Sequence, residues 1–139
     1  MNTSIFYATI TGNSRKIAEA IGARLKVKSK NITENPVPNV TDTLVIVGGI
    51  YFGKSKKELK NFVNSLDPVK VRRVAIVTTS GAGQSRTTPA EIVELLESKS
   101  ITVLGEFGVR GKALIFPTGH PNEADLKEAA EWVVNTIKD

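Results

Sequence analysis

A parallel, doubly wound α/β sheet is the fold class that the sequence predicts, on three observations. Short apolar runs of strand length alternate with segments whose apolar residues recur at helical spacing. Two of the runs, "LVIVG" and "VAIVTT", are apolar without alternation, as expected of strands covered on both faces. Neighbouring parallel strands must also be joined by crossover connections, and the predicted helices can supply them. Because the 139 residues contain no repeat, low-complexity tract or linker, we expect one domain over residues 1–139.

The strands are predicted from apolar runs rich in β-branched residues. Four runs qualify, at residues 4–9, 44–48, 74–79 and 101–107. A fifth and more polar segment, "KVKSKNIT" at residues 26–33, predicts a short edge strand between the first helix and "LVIVG". The stretch "ENPVPNVTD", which contains two prolines, is predicted to be a connecting loop.

Four helices are predicted from stripes of apolar residues. The third begins at Thr88 and Pro89, which with Glu91 fit a capping box with proline at the first helical position. The fourth begins near Pro121 or Asn122, with Trp132 at the margin of its buried face. The predicted buried stripes are Ile17, Ile21 and Leu25; Leu59, Phe62, Val63 and Leu66; Ile92, Leu95 and Leu96; and Leu126, Ala130, Val133, Val134 and Ile137.

Composition excludes several kinds of chemistry. The chain has no cysteine, which excludes disulfides, thiolate catalysis and cysteine-based metal sites, and its one histidine, His120, is predicted to be a turn or cap residue. We therefore predict no metal site and no catalytic side chain, so that redox chemistry would need an organic cofactor. No apolar run reaches membrane-spanning length and no secretion signal is evident, so we expect a cytoplasmic protein without a membrane span. The net charge of +5 suits an anionic ligand, an acidic partner or nucleic acid.

Three loops are expected to form the ligand site, because parallel sheets bind ligands beyond the carboxyl ends of their central strands. They are residues 9–14, 48–55 and 79–87. The first, "TITGNS", has hydroxyl groups, an amide and a glycine at the start of a helix, where unpaired amide hydrogens and the helix dipole favour a phosphate. The alternative is that Thr11 or Ser14 only caps the helix.

The second loop, "GGIYFGKS", allows two interpretations. It matches the nucleotide-binding pattern Gly-x-x-x-x-Gly-Lys-Ser through Gly48, Gly53, Lys54 and Ser55. A P-loop hydrolase is disfavoured because no later strand ends in an aspartate that could help to hold magnesium. In the other interpretation the loop forms one wall of a ligand site, where the ring of Tyr51 or Phe52 stacks on a flat ligand. For Phe52 the alternative is that its side chain packs in the core.

The third loop, "TSGAGQSRT", contains two glycines, several hydroxyl groups and an amide. Its backbone can hydrogen-bond the polar edge of a planar ring while the glycines permit close approach. It has no aromatic residue, so one face of such a ring would stay open to a partner or substrate. The alternative is a solvated turn.

Together these motifs resemble the flavodoxin family. "TITGNS" is similar to its phosphate loop, and the similarity continues through "GGIYFGKSKKELKNFV", "TTSGAG", "GEFGVRGK" and "GHPNEADLKEAAEW", nearly the whole chain. The resemblance implies a flavodoxin-like three-layer sandwich with a five-stranded parallel sheet in the order 2-1-3-4-5. It also implies flavin mononucleotide (FMN) as cofactor, with Tyr51 stacked on the isoalloxazine. The implied phosphate-binding residues are Thr9, Ile10, Thr11, Gly12, Asn13 and Ser14, and those around the ring are Gly49, Ile50, Tyr51, Phe52, Gly53, Thr79, Ser80, Gly81, Ala82 and Gly83.

An electron-transfer protein of flavodoxin type is the function that this resemblance implies, with a redox protein as partner. Since the chain is basic, that partner would have an acidic docking surface. The alternative is an FMN-dependent oxidoreductase acting on a quinone-like or porphyrinogen-like substrate. A nucleic-acid module is a third hypothesis, motivated by a cluster of lysines. These lysines are more simply interpreted as a solvated helix face, so we expect no nucleic-acid partner. They are Lys54, Lys56, Lys57 and Lys60.

Overall fold

The computed structural model describes residues 2–8, 13–34, 41–51, 54–55, 57–80, 90–110 and 122–138. Within these ranges strands and helices alternate along the chain. The strands are β1 (Thr3–Tyr7), β2 (Ser29–Asn31), β3 (Thr41–Tyr51), β4 (Lys54–Ser55), β5 (Val71–Ser80) and β6 (Thr102–Arg110). The helices are α1 (Asn13–Leu25), α2 (Lys57–Asn64), α3 (Ala90–Ser98) and α4 (Glu123–Ile137).

Five of the strands form one parallel sheet in the order β2-β1-β3-β5-β6. Numbered among the parallel strands alone, this is the order 2-1-3-4-5, and it confirms the predicted flavodoxin-like fold class. The polar segment at residues 26–33 supplies the edge strand β2, as predicted. The two-residue strand β4 lies apart from this path and pairs antiparallel with the end of β3.

Both faces of the sheet are covered by helices, which explains the continuous apolar runs. Leu44 and Ile46 of β3 pack on the side of α2 and α3, while Val45 and Val47 pack on the side of α1 and α4. All four side chains are fully buried. Period-two alternation along β3 is therefore present in the structure but hidden in the sequence, because each face meets an apolar layer.

The predicted helix stripes face the sheet, but Ala18 of α1 is fully buried although its stripe omitted it, and two residues of α4 also differ. Ala129 is fully buried although the stripe omitted it, and Val134, predicted to point inward, is only half-buried. Trp132 lies at the margin as predicted, with its ring stacked on Phe107 at a centroid distance of 5.5 Å. Asn122 caps the helix in a reciprocal capping box with Asp125. Thr88 and Pro89, predicted to cap α3, lie outside the described residues.

The central strands extend beyond the predicted apolar runs at both ends. Parallel pairing continues through Gly48 opposite Thr78 and Gly49 opposite Thr79, so the predicted loops at 48–55 and 79–87 begin inside β3 and β5. β6 likewise reaches Arg110 instead of ending at Phe107. These ends were missed because backbone ladder bonds hold glycines and threonines in a strand as readily as apolar residues, without leaving an apolar pattern.

Arg73 ties three elements together at the amino end of the sheet. Its guanidinium group donates hydrogen bonds to Thr43 Oγ1 at 2.8 Å and to the carbonyl oxygen of Ile137 at 3.3 Å. The second bond satisfies one of the last carbonyls of α4, which have no partner within the helix. A single side chain on β5 thereby anchors β3 and the end of α4.

Candidate functional site

The carboxyl ends of the central strands form one edge of the sheet, and the candidate site lies there. β3 and β5 run beyond the end of β1, since Tyr7, the last residue of β1, is opposite Val47. Gly49 and Thr79, both predicted site residues, are register partners on adjacent strands. The sheet therefore brings the first residues of the second and third predicted loops side by side.

The start of α1 contains two buried polar residues. Asn13 is 7% exposed and Ser14 is 1% exposed, and in the part of the chain that the structure describes neither side chain forms a hydrogen bond. Burying a polar group without a hydrogen-bond partner is unfavourable by about 1–3 kcal/mol. The first amide hydrogens of a helix are also free, and the helix dipole makes this end positive. The arrangement fits a bound phosphate group, which would accept hydrogen bonds from the side chains and from the amides.

The segment after Gly49 is a hairpin. Ile50 pairs with Ser55 and Tyr51 pairs with Lys54, so β4 runs back along the end of β3. α2 begins only at Lys57. A P-loop instead requires its lysine and serine to enter a helix directly, so that the amides surround the phosphates. The hairpin excludes the P-loop interpretation of "GGIYFGKS", and it leaves Ile50 and Tyr51 as strand residues at the edge of the site.

Gly48 lies close to α2, and a β-carbon on it would lie 2.7 Å from Leu59 Cδ2, so that this side chain would have to move. Leu59 is buried in α2, so the glycine lets α2 approach β3 closely. Gly49, the next residue, is buried and lies beside Thr79, a buried threonine that is 4% exposed.

An ion pair links the two helices that follow the second and third predicted loops. Lys60 Nζ of α2 lies 3.1 Å from Glu91 Oε2 of α3. At the other ends of these helices, Lys99 donates a hydrogen bond to the carbonyl oxygen of Leu66 at 3.0 Å. The sequence analysis interpreted Lys60 as part of a solvated helix face, and its side chain, which is 43% exposed, forms this ion pair at the surface. No local pattern could have shown the pair, because its partners are distant in the sequence.

Several predicted site residues lie outside the described residues. For Ile50, Tyr51 and Ser80 the structure describes the backbone alone, so the predicted stacking of Tyr51 stays a prediction. Asn13, Ser14, Gly49 and Thr79 are described in full. The predicted residues outside the described ranges are Thr9, Ile10, Thr11, Gly12, Phe52, Gly53, Gly81, Ala82 and Gly83.

The described ranges also bear on metal binding, membrane insertion and further cavities. They contain no group of three or more histidine, aspartate or glutamate side chains that could hold a metal ion. None of the four described helices is both long and apolar enough to cross a membrane.

Two open cavities lie among the described residues, a groove of about 640 Å³ between α1 and β2 and a smaller one of about 440 Å³ beside the start of β6.

Comparison with known proteins agrees with this architecture. A family model described as a flavodoxin domain matches residues 4–117, most of the chain. The chain belongs to the flavodoxin family. This confirms the resemblance found in the sequence. An uncharacterized protein of Methanocaldococcus jannaschii is 30% identical, and the alignment covers 99% of each chain.

Solved flavodoxin structures share the fold over nearly the whole chain. A short-chain flavodoxin associated with a bacterial microcompartment has a TM-score of 0.68 at 19% identity, covering 99% of this chain and 100% of its own. A flavodoxin from the domain Archaea has the same TM-score at 17% identity, with 98% and 96% covered. Oxidised flavodoxin 2 from Bacillus cereus has a TM-score of 0.70 at 15% identity, with 98% and 97% covered. At these identities the likeness establishes the fold.

Proposed function

We propose that the protein binds FMN and transfers electrons between larger redox proteins. Its family and fold support a flavin-binding role, and the observation that carries the proposal is the buried pair Asn13 and Ser14 at the start of α1. These two residues close the segment 9–14 that resembles the flavodoxin phosphate loop. The proposal includes a cytoplasmic location, in keeping with a chain that has no cysteine and forms no disulfide.

The phosphate would be held by hydrogen bonds without a fixed positive charge from this segment. The Ser14 hydroxyl and the Asn13 amide can each donate a hydrogen bond, and the free amides of the first turn of α1 can donate more. Hydrogen bonds to a charged group are stronger than those between neutral groups. Thr9 to Gly12 are the remaining members of the proposed phosphate site.

The isoalloxazine ring would lie between residues 49–53 and 79–83. The pairing of Gly49 with Thr79 supports this part of the proposal, because it sets the two segments side by side. In the proposed site Tyr51 stacks on one ring face, and backbone groups of residues 79–83 hydrogen-bond the polar edge. Bound FMN would supply the redox chemistry by accepting and releasing electrons one at a time, while the chain's residues bind and orient it.

An FMN-dependent oxidoreductase acting on a quinone-like or porphyrinogen-like substrate is the second candidate. It is favoured by one feature, the absence of an aromatic residue from residues 79–87, which would leave a ring face open to a substrate. Steady turnover of a small quinone without a protein partner would support the enzyme. Electron exchange with a redox protein alone would support the carrier.

The proposed phosphate site is tested by comparing FMN with riboflavin, which lacks the phosphate. We expect FMN to bind the apoprotein far more tightly, and Ser14→Ala to weaken FMN about tenfold or more because a hydrogen bond to a charged group is lost. Riboflavin affinity should not change. Because the substitution removes a buried hydroxyl that has no partner among the described residues, the apoprotein of this variant should be as stable as the parent or more so.

The measurements are fluorescence quenching titrations of both flavins and urea unfolding of the apoprotein. Ser98→Ala is the matched control, since Ser98 is an exposed serine on α3. Equal affinity of the parent for FMN and riboflavin would refute the phosphate site. So would equal weakening of both flavins by Ser14→Ala.

A further inference from the structure

The groove between α1 and β2 is lined mainly by positive charge. Its walls contain four cationic side chains and two carboxylates. Among the described residues, Lys26, Lys28 and Lys30 form no ion pair and are exposed, whereas Arg15 lies 3.8 Å from Glu19. The lining cations are Arg15, Lys26, Lys28 and Lys30, and the carboxylates are Glu19 and Glu34.

The three exposed lysines follow a two-residue spacing. Lys28 and Lys30 are exposed, and the residues between and beside them, Val27, Ser29 and Asn31, are half-buried. Alternate residues of an extended chain point to the same side, so Lys28 and Lys30 lie in a row, on the sheet face of Phe6, which is the register partner of Lys30. Lys26, with a φ of 58°, lies in the turn before them. A binding partner with negative charges at alternate positions of its own extended chain would match this row.

β2 is also an open edge of the sheet. Within the described ranges it pairs with β1 and with no other strand. An edge strand has backbone amides and carbonyls that an added strand can use. The groove therefore combines a row of lysines with the free side of an edge strand, and an extended polypeptide can use both.

We propose that the open edge of β2, with this basic groove beside it, binds an extended acidic segment of a partner protein, whose carboxylates at alternate positions meet Lys28 and Lys30, with Lys26 in the turn before them. One end of the groove reaches Tyr7, at the carboxyl end of β1, and Arg15, one residue after Ser14. The partner is thereby held beside the candidate site. That it is an electron-transfer partner rests on the proposed function, but binding of the acidic segment does not.

Two other occupants fit the groove less well. A nucleic acid fits less well because the aromatic residue in the lining, Tyr7, is buried and offers no surface for base stacking. A second copy could present its acidic side, since residues 90–110 and 122–138 contain eight acidic and four basic residues. Most of those acidic residues lie on α3 and α4, so they do not form the extended row that the lysines match.

The test measures binding of a fluorescently labelled peptide of alternating glutamate and serine to the purified apoprotein by anisotropy. We expect binding that weakens with added salt, and no binding of the same peptide with glutamine in place of glutamate. The groove variant Lys26→Gln/Lys28→Gln/Lys30→Gln should bind about tenfold more weakly, from three charge contacts of modest size. The control variant Lys70→Gln/Arg72→Gln/Lys127→Gln, which removes the same charge from exposed positions elsewhere, should bind like the parent.

Three results would overturn the proposal. Equal weakening in both variants would show a general effect of net charge, and tighter binding of labelled oligothymidine than of the peptide would indicate a nucleic-acid surface. Self-association of the parent that the groove variant abolishes, measured by sedimentation, would assign the groove to a second copy. All these measurements are made without FMN, so their outcome does not depend on the outcome of the phosphate-site test.

Discussion

Single residues with an unusual backbone end two of the helices. After α1, Lys26 has a φ of 58° and the amide of Val27 bonds the carbonyl of Gly22 at 3.0 Å. After α3, Ser100 has a φ of 62° and the amide of Ile101 bonds the carbonyl of Leu96 at 3.1 Å. Both ends have the hydrogen bond of a Schellman motif, whose left-handed residue is usually glycine. Without that glycine neither helix end has a stop signal of its own in the sequence, and each end could be inferred only from the strand predicted after it.

Glycine at either of these positions should stabilise the protein. A residue with a side chain is unfavourable in the left-handed region, so glycine relieves that strain. Glycine also increases the entropy of the unfolded chain, which offsets part of the gain. We therefore expect Lys26→Gly and Ser100→Gly each to raise the free energy of unfolding by about 0.5–1 kcal/mol. Urea unfolding of the apoprotein measures it. Lys16→Gly, at an exposed position inside α1, should instead lower stability by about 1 kcal/mol. Destabilisation by Ser100→Gly would contradict this explanation of the helix end.

Among the elements, β6 departs most from what its sequence pattern predicts. Simple alternation would place residues 101, 103, 105, 107 and 109 on one face. The register instead shifts by one between Val74 and Ala75 of β5, which pair with Val103 and Gly105 and leave Leu104 as a bulge. Val103 therefore packs toward α2 and α3, while Leu104, Phe107 and Val109 pack toward α1 and α4. A period-two pattern in the sequence predicts the strand but not the bulge, because the bulge depends on pairing with β5.

Gly105 directly follows this bulge, and Gly105→Ala should destabilise the protein. Its φ is 159°, and a β-carbon there would lie 3.2 Å from Trp132 Cζ2, the ring that stacks on Phe107. We expect a loss of about 1–3 kcal/mol in the free energy of unfolding, from backbone strain together with overpacking. The companion Thr102→Ala, at an exposed position on β6, should have little effect. If Gly105→Ala were as mild as Thr102→Ala, the packing explanation would be wrong.

At the scale of the whole molecule the net charge of +5 hides an uneven distribution. Residues 13–34, which form α1 and β2 at one side, contain six basic and two acidic residues, whereas α3 and α4, the helices that contact β6, together contain seven acidic residues and one basic residue. Composition predicts a partner of opposite charge but cannot say which surface it meets. The sheet order settles where the charges lie, because it sets β2 and β6 at opposite edges. The interior of the sheet could be read from apolar runs, while this charge separation needed the topology.

A second basic group, Lys54, Lys56 and Lys57, should affect the flavin potential. Lys54 lies on β4, paired with Tyr51 at the edge of the candidate site, and α2 begins with the exposed Lys57. Positive charge favours a flavin that gains negative charge on reduction. In water a charge about 10 Å away contributes roughly 0.4 kcal/mol, so the three together shift the potential by on the order of tens of millivolts.

Lys54→Gln/Lys56→Gln/Lys57→Gln should therefore lower the potential of the step that forms fully reduced flavin. The measurement is a redox titration of the FMN-loaded variant beside the parent at low ionic strength, and the difference should shrink as salt is added. Lys70→Gln/Arg72→Gln/Lys127→Gln removes the same net charge away from the candidate site, and its potential should stay closer to that of the parent. An unchanged or higher potential in the first variant would refute the electrostatic effect. Oxidised FMN should still bind both variants, because neither variant changes the proposed phosphate site at the start of α1.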